Sequence, residues 1–306
     1  MSKPKKLSDV RVVATSVSVS LLDVALNCIV AWLTSSTVMF SQALQGVSDL
    51  ITGGVLLVGV RRSRRQADKH FQFGYGRELF FWVLIAAIVM FVGTGGVSVY
   101  VGYQQIVAPS PVDHAWLALV MLCVGASTNG YAFYLSVKRL RQQGASRSWW
   151  RHLLASSIVE TKATFVIDLL GTTAAFFGLF ALGMLVFTGD ARFDGVGSVM
   201  IGVSMMLAAL LLIRDIHDLI VGRSVDHDTS LRIIAAAEAV AGVHNVLDLR
   251  TMYLGSEKLL VIVEVHIKDG LDTDTIERVI DNVKENVTQL VPIVHHIQVE
   301  VETPES

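Results

Sequence analysis

The sequence predicts a membrane all-α bundle of six transmembrane helices, followed by a C-terminal cytoplasmic α+β domain. Hydrophobic residues make up 52% of the 306 residues and charged residues only 17%, with a mean hydropathy of +0.55. Soluble proteins carry about 25% charged residues, so part of this chain is adapted to a solvent other than water. Long apolar runs end near Val221, and charges are evenly spread after it. We therefore predict a membrane domain over residues 1–221 and a cytoplasmic domain over residues 222–306.

Six apolar segments are long enough to cross about 30 Å of hydrocarbon, which takes about 20 residues of helix. The predicted spans are Val12–Leu33, Val38–Val60, Leu79–Val107, Trp116–Val137, Thr161–Phe187 and Val196–Val221. The first apolar run is too long for the core of a cleavable signal peptide, and no small-residue cleavage pattern follows it. We therefore interpret this run as the first span.

Lysine and arginine are distributed unequally between the two ends of the spans. Four basic residues precede span one, six lie in the loop Arg61–Glu78 after span two, and five lie in residues 138–151 after span four. The opposite side has only Arg192. Because basic loops stay on the cytoplasmic side, both termini are predicted to face the cytoplasm or the equivalent compartment of an organelle. The membrane is predicted to be a cell (inner) membrane.

The tail after residue 223 shows helical and strand patterns in the order αββαβ. The predicted helices are Ser230–Val240 and Thr273–Val287, and the predicted strands are Val246–Leu254, Leu259–Ile267 and Val294–Val301. Periodicities near 3.6 and 2 residues distinguish the two kinds of element. This order predicts a two-layer sandwich with helices on one face of the sheet and edges that can pair with a second copy.

Ionisable groups inside a span are costly and by default mark functional sites. Asp23 lies in span one, Asp49 in span two and Asp168 in span five. Gln45 precedes Asp49 by four residues, and Thr164 precedes Asp168 by the same interval. Residues four apart share one helix face, so each of these two spans presents an oxygen ligand and a carboxylate one turn apart. If the two faces oppose each other, the four side chains form an all-oxygen cation site.

Structural explanations of the same residues stay open at this point. Asp49 and Asp168 could each be bonded to a Ser, Thr or Asn on a neighbouring helix. Asp23 has Asn27 one turn further on, and this pair fits either helix packing or the ion pathway. The sequence alone therefore allows the three carboxylates to have different roles.

Two other intramembrane features predict packing rather than chemistry. Small residues let helix backbones approach each other closely, and span three carries Gly93, Gly95, Gly96 and Gly102. Cys28 and Cys123 lie inside apolar runs. They are too few for a disulfide framework or a Cys-based zinc site.

Four stretches resemble known motifs of one family, and the resemblance extends over nearly the whole length of the chain. They are Ala43–Asp49, Arg61–Glu78 with the following Leu79–Trp82, Thr188–Gly195 and Leu247–Gly255. The chain resembles the cation diffusion facilitator family of proton-coupled zinc, iron, manganese and cobalt exporters. The loop Arg61–Glu78 is most similar to that of the branch containing the mitochondrial zinc transporter of animals.

The resemblance implies a homodimer with a Y-shaped outline and metallochaperone-like cytoplasmic domains that pair below the membrane. It also implies one transport site per protomer, between spans two and five. Carried over residue by residue, this metal site consists of Gln45, Asp49, Thr164 and Asp168. Weaker metal candidates are Asp68, which matches an acidic residue of a second metal site in some members, its neighbour His70, and the pair Asp23 and Asn27.

The chain departs from the family pattern at several ligand positions. The family usually has His or Asp where this chain has Gln45 and Thr164. The loop histidines expected near Asp68 are replaced by Phe71 and Tyr75. Metal-binding positions of the cytoplasmic domain fall on Leu247 and Glu264. The tail histidines without a family counterpart are His244, His266, His295 and His296.

We predict proton-coupled efflux of a divalent metal cation, because deprotonated carboxylates bind metal and protons compete for the same oxygens. The alternative is a non-transporting homologue that acts as a scaffold or regulatory partner of an active metal transporter. The branch points to zinc, whereas oxygen ligands favour manganese or ferrous iron. The predicted partners are a second copy, the lipid bilayer, metal ions and protons. We find no phosphate loop, His-Glu-x-x-His pattern or Ser-His-Asp set, and we predict no enzyme, no resident cofactor and no nucleic-acid partner.

Overall fold

The computed structural model describes residues 21–143 and 159–303. The apolar helices in this part of the chain are α1 (Leu21–Thr34), α2 (Thr37–Ser63), α3 (Glu78–Val107), α4 (Ala115–Gln143), α5 (Val159–Thr188) and α6 (Arg192–Val221). Five of them are long and apolar enough to cross a membrane, and α1 is shorter in its described part. Residues 12–20 of the predicted first span lie outside the described residues. The prediction of a multi-span helical bundle is confirmed.

Several helices extend beyond their predicted apolar segments. Helix α6 was predicted from Val196 but begins at Arg192, whose backbone N–H donates to Asp190 Oδ1 at 2.9 Å. Helix α2 was predicted to end at Val60 but continues to Ser63. Apolar length predicts the membrane-embedded part of a helix, whereas polar residues and capping bonds determine where it begins and ends.

Helices α3 and α6 approach closely through two pairs of glycines. A β-carbon at Gly95 would lie 3.2 Å from the carbonyl oxygen of Gly202, and one at Gly102 would lie 2.7 Å from that of Gly195. The packing prediction is therefore confirmed for Gly95 and Gly102. It is wrong for Gly93 and Gly96, since a β-carbon there would meet only ordinary contacts within the same helix.

Helix α3 contains a π-helical segment, Val89–Gly95, at the point where this close contact begins. The Gly96 N–H donates to the Phe91 carbonyl, five residues earlier, as a π-turn requires. The π-helical segment widens α3 locally and ends at Gly95, the residue at which the close contact with Gly202 of α6 begins.

The tail forms a three-stranded sheet with helices on one face. Its elements are α7 (His227–Glu238), β1 (Val243–Gly255), β2 (Lys258–Ile267), α8 (Thr273–Leu290) and β3 (Val294–Val301). Strand β2 is central, antiparallel to β1 and parallel to β3. Val261, Val263 and Val265 are buried, and the alternate residues of β2 are not. This confirms the predicted αββαβ sandwich.

The described chain divides into two compact units. The first contains residues 21–58, 82–143 and 160–214, and the second contains residues 59–81 and 215–303. Within the second unit, the loop after α2 packs against the turn between β1 and β2. A β-carbon at Gly255 would lie 2.9 Å from Gly76 Cα, and Arg77 Nη2 donates to Met252 Sδ at 2.9 Å. The Phe73 ring also meets the His296 ring edge-on, at 5.5 Å between centroids.

Candidate metal site

Helix α2 carries two of the predicted ligands on one buried face. Gln45 is only 3% exposed, and Asp49 is half-buried one turn further along the helix. Gln45 Oε1 is enclosed and makes no hydrogen bond to any residue in the described part of the chain. A buried polar atom without a partner costs about 1–3 kcal/mol, so this oxygen is suited to receive a ligand.

The three intramembrane carboxylates come from three different helices, and among the described residues they do not by themselves form a cluster close enough to hold a metal ion. Both Asp168 of α5 and Asp23 of α1 are close enough for their charges to act on the Asp49 carboxylate. Like charges repel strongly in surroundings of low dielectric constant. A cation or proton held among these carboxylates removes that repulsion. The charges of Asp168 and Asp23 therefore make the surroundings of Asp49 favourable for a positive charge.

A close contact between α1 and α2 accounts for the position of Asp23. A β-carbon at Gly46 would lie 2.6 Å from Val24 Cγ2, so α1 passes directly over the backbone of α2 at this point. Gly46 follows Gln45, and Val24 follows Asp23. Asp23 itself is exposed and accepts a 3.2 Å hydrogen bond from Asn27 Nδ2. Asn27 thus orients Asp23 along the face of α1.

Helix α4 supplies a contact that the sequence analysis missed. Ser136 Oγ donates a hydrogen bond to Asp168 Oδ2. On the same helix, Asn129 Nδ2 donates to the Gly171 carbonyl oxygen at 3.4 Å. The seven-residue interval from Asn129 to Ser136 places both polar residues on one face of span four. That spacing was the available sequence signal for their role beside α5.

The explanation that these carboxylates serve only in helix packing is partly supported for Asp168 and is not supported for Asp49. Asp168 is bonded to a serine of a neighbouring helix, as that explanation requires. Asp49 makes no hydrogen bond to any described residue. Thr164 lies in α5 one turn before Asp168, and its side chain lies outside the described part of the chain.

Asp68, a weaker candidate, is used to fold its own loop. Its Oδ1 accepts hydrogen bonds from the backbone N–H groups of His70 and Phe71 at 2.9 and 2.8 Å, and its Oδ2 accepts one from Tyr75 Oη at 2.5 Å. These bonds, the Tyr75 bond first, hold the pKa of Asp68 below its usual value. Both oxygens therefore have a structural role, and a metal at Asp68 would have to compete with it.

The tail histidines are only partly brought together. The rings of His244 and His266 lie 5.2 Å apart on neighbouring strands. Within residues 21–143 and 159–303, no three His, Cys, Asp or Glu side chains cluster closely enough to hold a metal ion. A metal ion bound by His244 and His266 would therefore need further ligands other than the His, Cys, Asp and Glu side chains of the described residues.

Asp194 has a role that the sequence analysis did not foresee. It is fully buried at the beginning of α6, yet its carboxylate caps α2. It accepts hydrogen bonds from Ser36 Oγ at 2.5 Å, Thr37 N at 2.6 Å, Thr37 Oγ1 at 2.8 Å and Val38 N at 3.2 Å. Helix α2 has no acidic residue in its own first turn, so Asp194 supplies the negative charge that a helix N-terminus favours.

Comparison with protein families gives two matches that divide the chain between them. The model of the cation efflux transmembrane domain matches residues 13–221. The model of the cytoplasmic domain of cation efflux proteins matches residues 225–304.

Individual relatives show the same similarity at low identity. The human mitochondrial proton-coupled zinc antiporter SLC30A9 is 24% identical over 246 residues, covering 78% of this chain and 43% of the relative. Metal tolerance protein C4 of Arabidopsis thaliana is 25% identical over 252 residues, covering 80% and 54%. The chain thus spans about half the length of these two relatives. The uncharacterized transporter YdbO of Bacillus subtilis is 24% identical over 274 residues, covering 87% and 86%.

Among solved structures, part of the chain is similar to forms of the MamM CTD. A nickel form and a cadmium form of the MamM CTD are 22% and 23% identical to this chain. Each covers 26% of this chain, and the matches span 100% and 98% of those structures, with TM-scores of 0.25.

Proposed function

The chain belongs to the cation efflux family, and on that premise we propose that it exports a divalent metal cation in exchange for protons, with the ion bound between α2 and α5. The proposed ligands are Asp49 and Asp168, with the side chains of Gln45 and Thr164 completing an oxygen site. The observation that carries this proposal is that the charge of Asp168 on α5 acts on Asp49 of α2, which itself has no hydrogen-bond partner in the described chain.

The proposed exchange follows from the ligand chemistry. Metal binds to the ionised form of a carboxylate, and a proton occupies the same oxygens when the metal leaves. Because Asp49 and Asp168 act on each other's charge, loss of the cation favours uptake of a proton by the pair. A proton gradient can therefore drive metal release on one side and rebinding on the other.

The ligand set supports manganese or ferrous iron ahead of zinc as the cargo. A neutral amide and a hydroxyl are weak partners for zinc, which prefers nitrogen and sulfur ligands, whereas oxygen ligands suit harder cations. The name of the human relative describes a zinc antiporter. Zinc is therefore the ion against which manganese and ferrous iron are to be compared. The protein itself supplies no enzymatic chemistry in this proposal.

We also propose a homodimer that pairs through the cytoplasmic domains. The match to the cytoplasmic domain of the family and the free edges of the β1-β2-β3 sheet support this assembly. The uneven distribution of Lys and Arg supports an orientation with both termini in the cytoplasm, and we propose a cell-membrane location.

A scaffold without transport activity is the second candidate function. What favours it is the presence of Gln45 and Thr164 at positions where the resemblance to the family implies His or Asp. In this alternative, the chain would retain the fold and the dimer but move no ion, so a direct measurement of transport separates the two functions.

Uptake into proteoliposomes that enclose a pH-sensitive dye tests the proposal. The parent should move Mn²⁺, Fe²⁺ or Zn²⁺ together with an opposite proton flux. Asp49→Asn and Asp168→Asn should abolish both fluxes, because each removes a charged ligand. Asp113→Asn, the same change at an exposed loop carboxylate, should leave them intact. A parent that moves none of the ions supports the scaffold, and full activity in both site variants would place the ion elsewhere.

A further inference from the structure

The polar face of α2 extends beyond the proposed metal site toward the start of the helix. Ser41, Gln42, Gln45, Ser48 and Thr52 are all buried. Residues 42, 45 and 49 follow each other at intervals of three and four, so their side chains lie above one another along one face. Gln42 is therefore the next polar side chain on this face between Asp49 and Thr37, where α2 begins.

Ser41 has a structural role that accounts for its burial. Its Oγ lies 2.6 Å from Ser198 Oγ, and Ser198 Oγ donates to the Ser98 carbonyl oxygen at 2.9 Å. A hydroxyl has one proton, and that of Ser198 is used on Ser98, so Ser41 is the donor to Ser198. This chain of bonds ties α2 to α6 and α3.

Gln42 differs from Ser41 because its amide has no such partner. Gln42 is 8% exposed, and its Nε2 is enclosed without a hydrogen bond to any described residue. The same is true of Gln45 Oε1, one turn away. Rotation about the last side-chain bond exchanges the oxygen and nitrogen of an amide, so Gln42 can present either atom. Two enclosed amide atoms without partners on one face, Gln42 Nε2 and Gln45 Oε1, are costly inside a membrane unless a polar ligand reaches them.

We propose that Gln42 and Gln45 form a second binding position for the hydrated cation, on its path between Asp49 and the beginning of α2. This inference rests on the proposed transport function. The two amides supply neutral oxygen ligands, and the waters of the cation satisfy the remaining polar atoms. Ser98 Oγ, which is also enclosed without a partner in the described chain, adds a further polar group near the Ser41–Ser198 bonds.

A binding position formed by neutral ligands suits a cation in transit rather than a tightly bound cation. An ion pathway needs intermediate sites that bind well enough to admit the ion and weakly enough to release it. Asp49 and Asp168 hold the cation by charge, whereas amide oxygens replace part of its hydration shell without neutralising it. Gln42 therefore acts on the rate of transfer, and the two carboxylates determine the affinity.

Accessibility to a water-soluble thiol reagent tests whether the position is hydrated. The full-length chain with Cys28→Ala and Cys123→Ala receives either Gln42→Cys or Met39→Cys. Met39 is the matched control, since it is also fully buried on α2 but lies among apolar residues. A cationic methanethiosulfonate should modify Gln42→Cys at least about tenfold faster than Met39→Cys, the ratio expected for a modest difference in barrier. Mn²⁺ should slow the reaction at position 42. Equal rates at the two positions would overturn the proposal.

Transport by an apolar variant tests whether the position is used. Gln42→Leu should lower the initial rate of Mn²⁺ uptake about tenfold, while the dissociation constant for Mn²⁺ stays within about twofold because both charged ligands remain. Gln42→Asn should restore part of the rate. Gln104→Leu, the same change at an exposed end of α3, should have no effect. An unchanged rate in Gln42→Leu would overturn the inference and leave the proposed function standing. If the parent moved none of the ions, the proposed function would fail, and the thiol rates would still decide whether position 42 is hydrated.

Discussion

Gly46 of α2 lies directly against Val24 of α1: a β-carbon at Gly46 would be only 2.6 Å from Val24 Cγ2. Any other residue at position 46 would therefore require the Val24 side chain to shift, and a large one would push against α1. The contact lies one residue from Gln45 on α2 and one residue from Asp23 on α1. The packing of two helices and the grouping of their polar side chains around the metal site therefore depend on the same glycine.

The first prediction concerns this contact. Gly46→Val should force the two helices apart and destabilise the protein by about 1–3 kcal/mol, as overpacking does in other well-packed interiors. Gly53→Val is the control, because a β-carbon at Gly53 meets nothing within 4 Å. Thermal unfolding in detergent should give a lower midpoint for Gly46→Val and a midpoint near that of the parent for Gly53→Val. Equal midpoints would show that α1 does not lie against α2 as described.

The second prediction concerns the cap of α2. Asp194→Ala removes the acceptor of four hydrogen bonds at the start of the helix and should cost about 2 kcal/mol, the upper end for loss of an N-cap. Asp194→Asn keeps one carbonyl oxygen and should cost less. Thermal unfolding of both variants and of the exposed-site control Asp113→Asn measures the order. The interpretation fails if Asp194→Ala is as stable as the control.

The third prediction concerns pH and the exposed face of the tail sheet. Burial raises the pKa of Glu264 above its usual value, and the nearby carboxylates of Glu302 and Asp248 raise it further. A raised pKa in the folded state means that this carboxylate destabilises the fold when ionised, and that the cost disappears as pH falls through the folded pKa.

Glu264→Gln should therefore raise the unfolding midpoint of the tail at about pH 7 and have little effect at about pH 4. Glu277→Gln, on the exposed side of α8, should change neither midpoint. Calorimetry at the two pH values measures the difference. A gain at the lower pH only would contradict the assigned direction of the pKa.

How well the sequence predicts a structural feature depends on whether the residues that form it are close together or far apart along the chain. Apolar length and strand alternation are local properties, and they predict α2, α3 and the αββαβ order of the tail. Cross-helix contacts such as Asp194 with Thr37 depend on which helices become neighbours, and a single span does not carry that information. The choice between the glycines of span three could have been made from spacing, since Gly95 and Gly102 are seven residues apart, as are Gly195 and Gly202 on α6.

The metal site, too, could be predicted from the sequence only where the interacting residues lie on one helix. The interval of four residues placed Gln45 and Asp49 on one face, and the structure brings Asp168 into electrostatic reach of Asp49. Ser136 reaches Asp168 only because α4 packs against α5, so its contribution is a property of the assembled bundle. The identity of the cargo depends on ligand chemistry, and two neutral ligands favour an ion that tolerates oxygen.

The fourth prediction tests this chemistry by restoring nitrogen ligands. Gln45→His together with Thr164→His should shift the preference from manganese toward zinc, because zinc favours imidazole. Imidazole titrates near neutrality, so binding should become steeper in pH between about pH 6 and pH 7. Competitive calorimetry with both metals in the parent and the double variant measures the shift. Gln104→His provides a control outside the site. If the parent already prefers zinc strongly and the double variant has the same preference, the ligands were misassigned.

The central claim is that Asp49 and Asp168 together hold one divalent cation in each protomer. Equilibrium binding of Mn²⁺ to the purified full-length protein, with simultaneous measurement of released protons, tests it most directly. The account predicts one ion per protomer, proton release on binding, and loss of binding in both Asp49→Asn and Asp168→Asn but not in Asp113→Asn. Undiminished Mn²⁺ binding in Asp49→Asn would contradict it.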